Sequence, residues 1–177
     1  MFKVNVLINA MLFNLVWIAC VAGSAQKLLW PAITSCGLLA LYQLHPKNRH
    51  PNDLILVWIG MALGIVVDSI WVKLGFMDFT DKRPFENFAP GWIIILWVGF
   101  ALTVNHSLKW LIAHPLLPAI TGAIAAPITY FAGIKIGAVV YTESVVIVSI
   151  GLAIAWGMAL TIMVEVGKRT REAISNG

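Results

Sequence analysis

The chain has 177 residues, 60% of them apolar and only 11% charged, with 12 Lys and Arg against 8 Asp and Glu and a net charge of +4. A soluble domain carries about 25% charged residues to cover its outside, so this composition reads as an integral membrane protein, and the charge calls for no nucleic-acid partner. Six spans of about 20 residues would use roughly 120 positions, which leaves no stretch of the 50 or so that a separate catalytic, kinase or DNA-binding domain needs.

Six apolar runs follow one another at 4–23, 28–44, 54–75, 91–112, 116–133 and 145–166. Backbone amides in hydrocarbon must be bonded within their own segment, so each run is predicted to be a helix. The expected fold class is all-α: a single polytopic transmembrane bundle over 1–177 with six spans and no soluble domain. No internal repeat or linker stands out. The second and fifth runs are near the lower limit of about 17 residues for crossing a core roughly 30 Å thick.

Lys3 before the first run and the small residues Ala22-Gly23-Ser24-Ala25 after it suggest a signal peptide, and Ile18-Ala19-Cys20 faintly suggests a lipoprotein site. About 20 apolar residues exceed the 7–15 of a leader's core, and Asn9 and Asn14 interrupt them, so the run is kept as a span. Cys20 and Cys36 fall inside runs at no metal-ligand spacing and read as small packing residues. His45-Pro46, His50-Pro51, Ala89-Pro90 and His114-Pro115 place proline where helices end or begin. Trp30, Trp71, Trp92 and Trp110 near run ends suit the headgroup level. Trp17, Trp97 and Trp156 are deeper and need a partner for the indole N–H or an aqueous crevice.

In the third run Gly60 and Gly64 lead to Asp68 and Trp71 on nearly one face. Ser149, Ala153, Gly157 and Thr161 in the sixth run, and Gly122 and Ala126 in the fifth, are similar ridges that let helix backbones approach. Pro127 is expected to kink the fifth helix. Asp68 lies about 21 Å from the cytoplasmic end of its span at 1.5 Å per residue, a depth where a carboxyl costs about 2.5–3.5 kcal/mol. Two readings stand for it: a proton, cation or polar-substrate site, or a hydrogen-bonded carboxyl fixing helices together, for instance through Asn14.

The fourth run closes with Thr103-Val104-Asn105-His106-Ser107-Leu108-Lys109-Trp110, and Gly99, Thr103, His106 and Trp110 would form one stripe of a continuous helix. On that reading His106 is about 12 Å from Asp68 in depth, too far for direct pairing, and Asn9 is its expected neighbour. Helix-to-helix hydrogen bonding is favoured for it over chemistry. All four histidines fall toward one face. With Asp53 they suggest a metal site only weakly, because His45 and His50 precede prolines; no cofactor or metal is expected. The loop 76–90 interleaves Asp78, Asp81, Lys82, Arg83 and Glu86 with four phenylalanines, which suits a segment at the membrane interface more than a lid. No phosphate cradle, nucleophile elbow, HExxH or CxxC motif is present. Lys3, Lys47, Arg49, Lys109, Lys168, Arg169 and Arg171 on one side outnumber Lys27, Lys73, Lys82, Arg83 and Lys135 on the other, which places both termini in the cytoplasm.

The start with Asn9, Asn14 and Trp17, the Gly64-x-x-x-Asp68 span, Pro90-Gly91-Trp92 leading to Trp97, Phe100 and Asn105-His106-Ser107-x-x-Trp110, and Gly122 to Pro127 followed by Tyr130 and Gly133 resemble a known pattern. It is that of a family of small bacterial inner-membrane proteins carrying only a domain-of-unknown-function label. The resemblance covers almost the whole chain, and Asn-His-Ser-x-x-Trp is its most specific part. It implies a setting beside enzymes resembling cyclopropane-fatty-acid synthases and flavin amine oxidases, hence membrane-lipid modification, and it supplies no catalytic residues. The leading expectation is a non-enzymatic accessory or scaffold whose partners are the lipid bilayer and a lipid-modifying enzyme. The alternatives are a small proton-coupled transporter using Asp68 and His106, and a metal-dependent membrane lipid enzyme. Asp68, His106, Asn105, Asn14, Asn9 and Trp97 are the candidate functional residues.

Overall fold

The computed structural model describes residues 2–175, with side chains for 4–170, so Lys3 and Arg171 of the orientation count lie outside the described side chains. In chain order the elements are α1 (Phe2–Ala25), α2 (Trp30–Gln43), α3 (Asp53–Lys73), β1 (Met77–Phe79), α4 (Gly91–Val104), a short 3-10 helix (Lys109–Ala113), α5 (Leu117–Ile136), β2 (Val139–Tyr141) and α6 (Val145–Ser175). The protein is thus helical. Stretches of α1, α3, α5 and α6 are long and apolar enough to cross a membrane. Large apolar side chains such as Met11, Trp58, Ile128 and Ile154 stand exposed around the outside, a coat that belongs in lipid rather than water.

Two of the six runs give shorter helices. α2 and α4 have 14 residues each, or about 21 Å of rise against a core of roughly 30 Å. The fourth run, expected to continue as a helix to 112, leaves the α-helical path after Val104. The N–H groups of His106 and Leu108 both turn back to Thr103 O at 2.9 Å, so the supposed stripe through Gly99, Thr103, His106 and Trp110 does not form. The turn is held by Asn105 and His106, whose side chains both reach Asp53 of α3. α5 runs unbroken across Pro127.

An internal repeat, which the sequence reading did not find, organises the core. Lys73-Leu74-Gly75 and Lys135-Ile136-Gly137 close α3 and α5 at a constant offset of 62 positions, and Phe79-Thr80-Asp81 and Tyr141-Thr142-Glu143 follow at the same offset. Gly75 and Gly137 take left-handed backbone angles (φ 67° and 90°). In both turns the next N–H reaches back to a carbonyl five residues earlier, Phe76 to Trp71 (3.0 Å) and Ala138 to Gly133 (2.9 Å), which satisfies the helix end and frees the chain to leave as a strand. β1 and β2 pair antiparallel, with the equivalent residues Asp78 and Val140 opposite each other. The bonds beyond are reciprocal: Thr80 N–H to Ala138 O (3.1 Å) and Thr142 N–H to Phe76 O (3.2 Å), Thr80 Oγ1 to Gly137 O and Thr142 Oγ1 to Gly75 O. A local two-fold axis therefore passes between the strands, and because α3 and α5 run the same way it lies along the bundle.

The correspondence continues into α4 and α6. A Cβ on Gly60 would come within 3.1 Å of Trp97 O, and one on Gly122 within 2.3 Å of Trp156 O, so each glycine lets the next helix of its own hairpin pack closely. Trp97 and Trp156 stack on each other between the two hairpins, with centroids 4.1 Å apart and planes at 20°. The symmetry then fails in one place. α3 packs against α6, with the Trp71 ring over Gly151, whereas the equivalent pair, α5 and α4, barely meets. Gly133 stands where α3 has Trp71, and the counterpart of Gly151 is Trp92, whose indole N–H is directed to Asp81 O at 3.2 Å. The gap between α4 and α5 stays open.

Candidate functional site

That gap is a groove of about 220 Å³, walled by Trp92, Leu96 and Phe100 of α4, by Ala126, Thr129 and Tyr130 of α5, and by Phe13 and Trp17 of α1. Its lining runs from Leu108 at one end of the bundle to Val139 at the other. Ala125 and Thr129 are exposed, so the mouth opens along α5. Nearly every wall atom is carbon, so only shape and dispersion are available there to hold a guest.

Behind the groove lies Asp68, fully buried on α3. Trp97 of α4 donates its indole N–H to Oδ2 at 2.7 Å, and the Tyr130 hydroxyl of α5 donates to Oδ1. Both carboxyl oxygens are thereby occupied, as burial of such a group demands. Gly64 makes this reach possible, since a Cβ there would lie 2.4 Å from Trp97 Cδ1. The Trp156 indole N–H approaches Tyr130 without reaching hydrogen-bond geometry. Asn14, offered above as a partner for Asp68, is exposed and bonds to Ala10 O of its own helix. Aromatic donors from two other helices take its place.

A second polar network closes the opposite end. Asp53, at the start of α3, accepts from Asn105 Nδ2 (3.0 Å), the backbone N–H of His50 (2.7 Å) and His106 Nε2 (2.9 Å). Asn9 donates to Leu102 O (3.0 Å) and accepts from Ser107 N–H (3.3 Å), and these two backbone groups fix which end of its amide is which. Asn9 then donates to Gln43 Oε1 (2.7 Å), so the Gln43 amide nitrogen faces Asn48 O (3.0 Å) and His106 Nδ1 (3.1 Å). His106 Nδ1 is therefore an acceptor, and Nε2 carries the proton toward Asp53. Asn9 reaches His106 only through Gln43, which the sequence reading passed over as the end of a span. A glutamine just inside the end of an apolar run was the available signal.

The depths change accordingly. Asp68 follows Asp53 by fifteen positions on one helix, so Asp68 and the Asp53–His106 pair are about 22 Å apart, not 12 Å. Asp68 is held by Trp97 and Tyr130, and Asp53 by Asn105, His50 and His106. Among the described residues, no three His, Cys, Asp or Glu side chains converge as metal ligands would.

The loop 76–90 is strapped down. Arg83 bonds Asp81 (2.6 Å) and the carbonyl of Lys27 in the α1–α2 turn. The guanidinium holds the Asp81 carboxyl below the usual carboxylate range. Phe79 is buried edge-on against Trp92, while Phe85 and Phe88 stay exposed.

The sequence model of a family described as "Protein of unknown function (DUF2878)" matches residues 6–162. The chain belongs to this family. The matched range takes in the groove, the whole α3–β1 and α5–β2 repeat, and both polar networks, so the DUF2878 pattern and the described core coincide. No curated protein and no solved structure matches the chain.

Proposed function

We propose that this DUF2878 member is an accessory of the bacterial cytoplasmic membrane. It holds one hydrocarbon chain of a lipid in the α4–α5 groove and offers it to a lipid-modifying enzyme, without performing chemistry itself. The observation that carries this reading is the groove as a broken repeat. The matching crevice between α3 and α6 is filled by Trp71, while glycine at position 133 leaves this one open. Asp68 and His106 are each held by protein donors and acceptors, which suits positioning rather than reaction. A proton-coupled carrier would need those two residues on one path, and their separation gives it no support.

Six crossings with both termini in the cytoplasm complete the proposal. The β1–β2 pair puts the ends of α3 and α5 on one side, and the intervening α4 must return the chain to the other. Consistent with that, α4 begins beside Ser69, which accepts from Ala89 N–H, and its following turn ends at Asp53. α2 likewise runs from the Gly23 turn back to Asn9 and Asn5. Short helices at these two places thin the bilayer locally or tilt little.

The test is photocrosslinking in native membranes with a phospholipid carrying a diazirine in its acyl chain. Labels should concentrate on Leu96, Phe100 and Thr129, and Ala125→Trp should remove them by filling the mouth. Labelling spread evenly over outward residues such as Trp58 and Ile154 would refute the groove. Crosslinking that recovers no lipid-modifying enzyme would remove the accessory role.

A further inference from the structure

A second hollow, of about 230 Å³, lies at the end of the bundle where α1 begins, lined there by Asn5 and Val6. Its floor is made by Gln43, Asn105 and His106, and its rim carries Lys47, Arg49 and Lys109. We infer that this cup binds a phosphate ester. Three cations surround it and no Asp or Glu lines it. The nearest carboxylate, Asp53, spends its oxygens on His106, Asn105 and the His50 N–H. The floor is pre-organised, because Gln43 is 2% exposed and its amide is fixed through Asn9 by two backbone groups. The floor's donors to Asp53, Asn48 and His106 are spent within the protein, so the cationic rim supplies the donors a tetrahedral oxyanion needs.

The opposite end of the bundle supplies a control. The hollow there is larger, about 520 Å³, but Asp81 and Glu86 line it beside Lys27, Lys82 and Arg83. An anion is therefore favoured at one end only.

The cup also adjoins the groove. Val6 in the cup and Phe13 and Trp17 in the groove recur at i, i+7 and i+11, one face of α1. Leu108 of the groove is followed directly by Lys109 of the rim. A lipid with its chain in the groove would bring its phosphate to this end, and in that lipid form the inference rests on the groove reading. The same chemistry is offered by a soluble phosphate ester.

The experiment uses the full chain in mild detergent, titrated by native mass spectrometry with dioleoylphosphatidylglycerol, dioleoylglycerol and glycerol phosphate. Phosphatidylglycerol should bind, and combined Lys47→Gln and Arg49→Gln should weaken it about tenfold, the loss expected for charge-assisted contacts, while dioleoylglycerol retention stays unchanged. Asn5→Asp, which adds a negative charge at the exposed rim without touching the floor, should act in the same direction. Glycerol phosphate binding with the same residue dependence assigns the cup to a soluble ester. Phosphatidylglycerol binding that ignores all three substitutions, or no binding by either ester, overturns the inference. Ala125→Trp separates the two proposals: if it leaves phosphatidylglycerol bound while the rim substitutions release it, the cup stands and the groove falls.

Discussion

Asp68 persists in the interior because its two oxygens are answered by donors from two different helices. Tyr130→Phe removes one of them and leaves a buried acceptor unpaired, at a cost of about 1.5–3 kcal/mol. For a chain of this length that corresponds to a fall of several degrees in melting temperature. Asp68→Asn should cost less, since an amide can still accept from the Trp97 indole and donate to the Tyr130 hydroxyl. Thermal unfolding in detergent checks the order, and an Asn variant less stable than the Phe variant would contradict it. Asp68→Asn should not abolish lipid labelling, because Asp68 does not line the groove. At this scale the sequence exposed the problem but not its solution. Asp68 and Trp97 stand out as a deep carboxyl and a deep indole, yet the residues that meet are 29 and 62 positions apart. Asn14 matched in depth and failed because it faces outward.

Helices were legible as apolar runs; their ends were less so. Leu108, Leu111 and Ile112 keep the fourth run apolar past Val104, which hid the turn that Asn105 and His106 make to reach Asp53. The repeat was hidden because its similarity is concentrated in the short turn-and-strand segments, while the helices before them share only residues such as Gly60 and Gly122. Those two glycines give a prediction at this scale. A Cβ at Gly122 meets the backbone of Trp156 at 2.3 Å, whereas at Gly60 the nearest atoms lie at 3.0–3.3 Å. Gly122→Ala should therefore lose about 1–3 kcal/mol through overpacking. Gly60→Ala should be close to neutral, its strain offset by helix propensity of about 1 kcal/mol. Melting temperatures of the pair decide it, and equal losses would refute the asymmetry. The loop strap offers another test. Arg83 holds Asp81 below the ordinary carboxylate range of about 3.9, so the contact stabilises the fold above that pH and is lost as pH falls through the lowered value. Arg83→Gln should melt earlier than the parent at pH 7, and the gap should begin to narrow only below about pH 4 and shrink further as pH falls through the lowered value. A gap independent of pH would show that the strap works through Lys27 O alone.

At the scale of the molecule, composition alone indicated a helical membrane protein, but the number of crossings depends on how the hairpins pair. Were α2 and α4 to stay on one surface, only α1, α3, α5 and α6 would cross. Residues 86 and 143 would then emerge on opposite faces, and the strands just before them could not pair. With six crossings those two positions share one face, and Lys47 and His114 share the other. Single cysteines at Lys47, Glu86, His114 and Glu143, all exposed positions, distinguish the two arrangements, and the native Cys20 and Cys36 are buried and should contribute little background. In intact cells a membrane-impermeant maleimide should label positions 86 and 143 and reach 47 and 114 only after lysis. Labelling of 86 and 143 from opposite faces would break the β1–β2 pair and with it the two-fold relation of the hairpins. The groove would then lose the packed counterpart that marks it as an opening. Labelling of 47 and 114 from outside, with 86 and 143 protected, would instead preserve the fold and invert it, turning the cationic cup toward the outer leaflet.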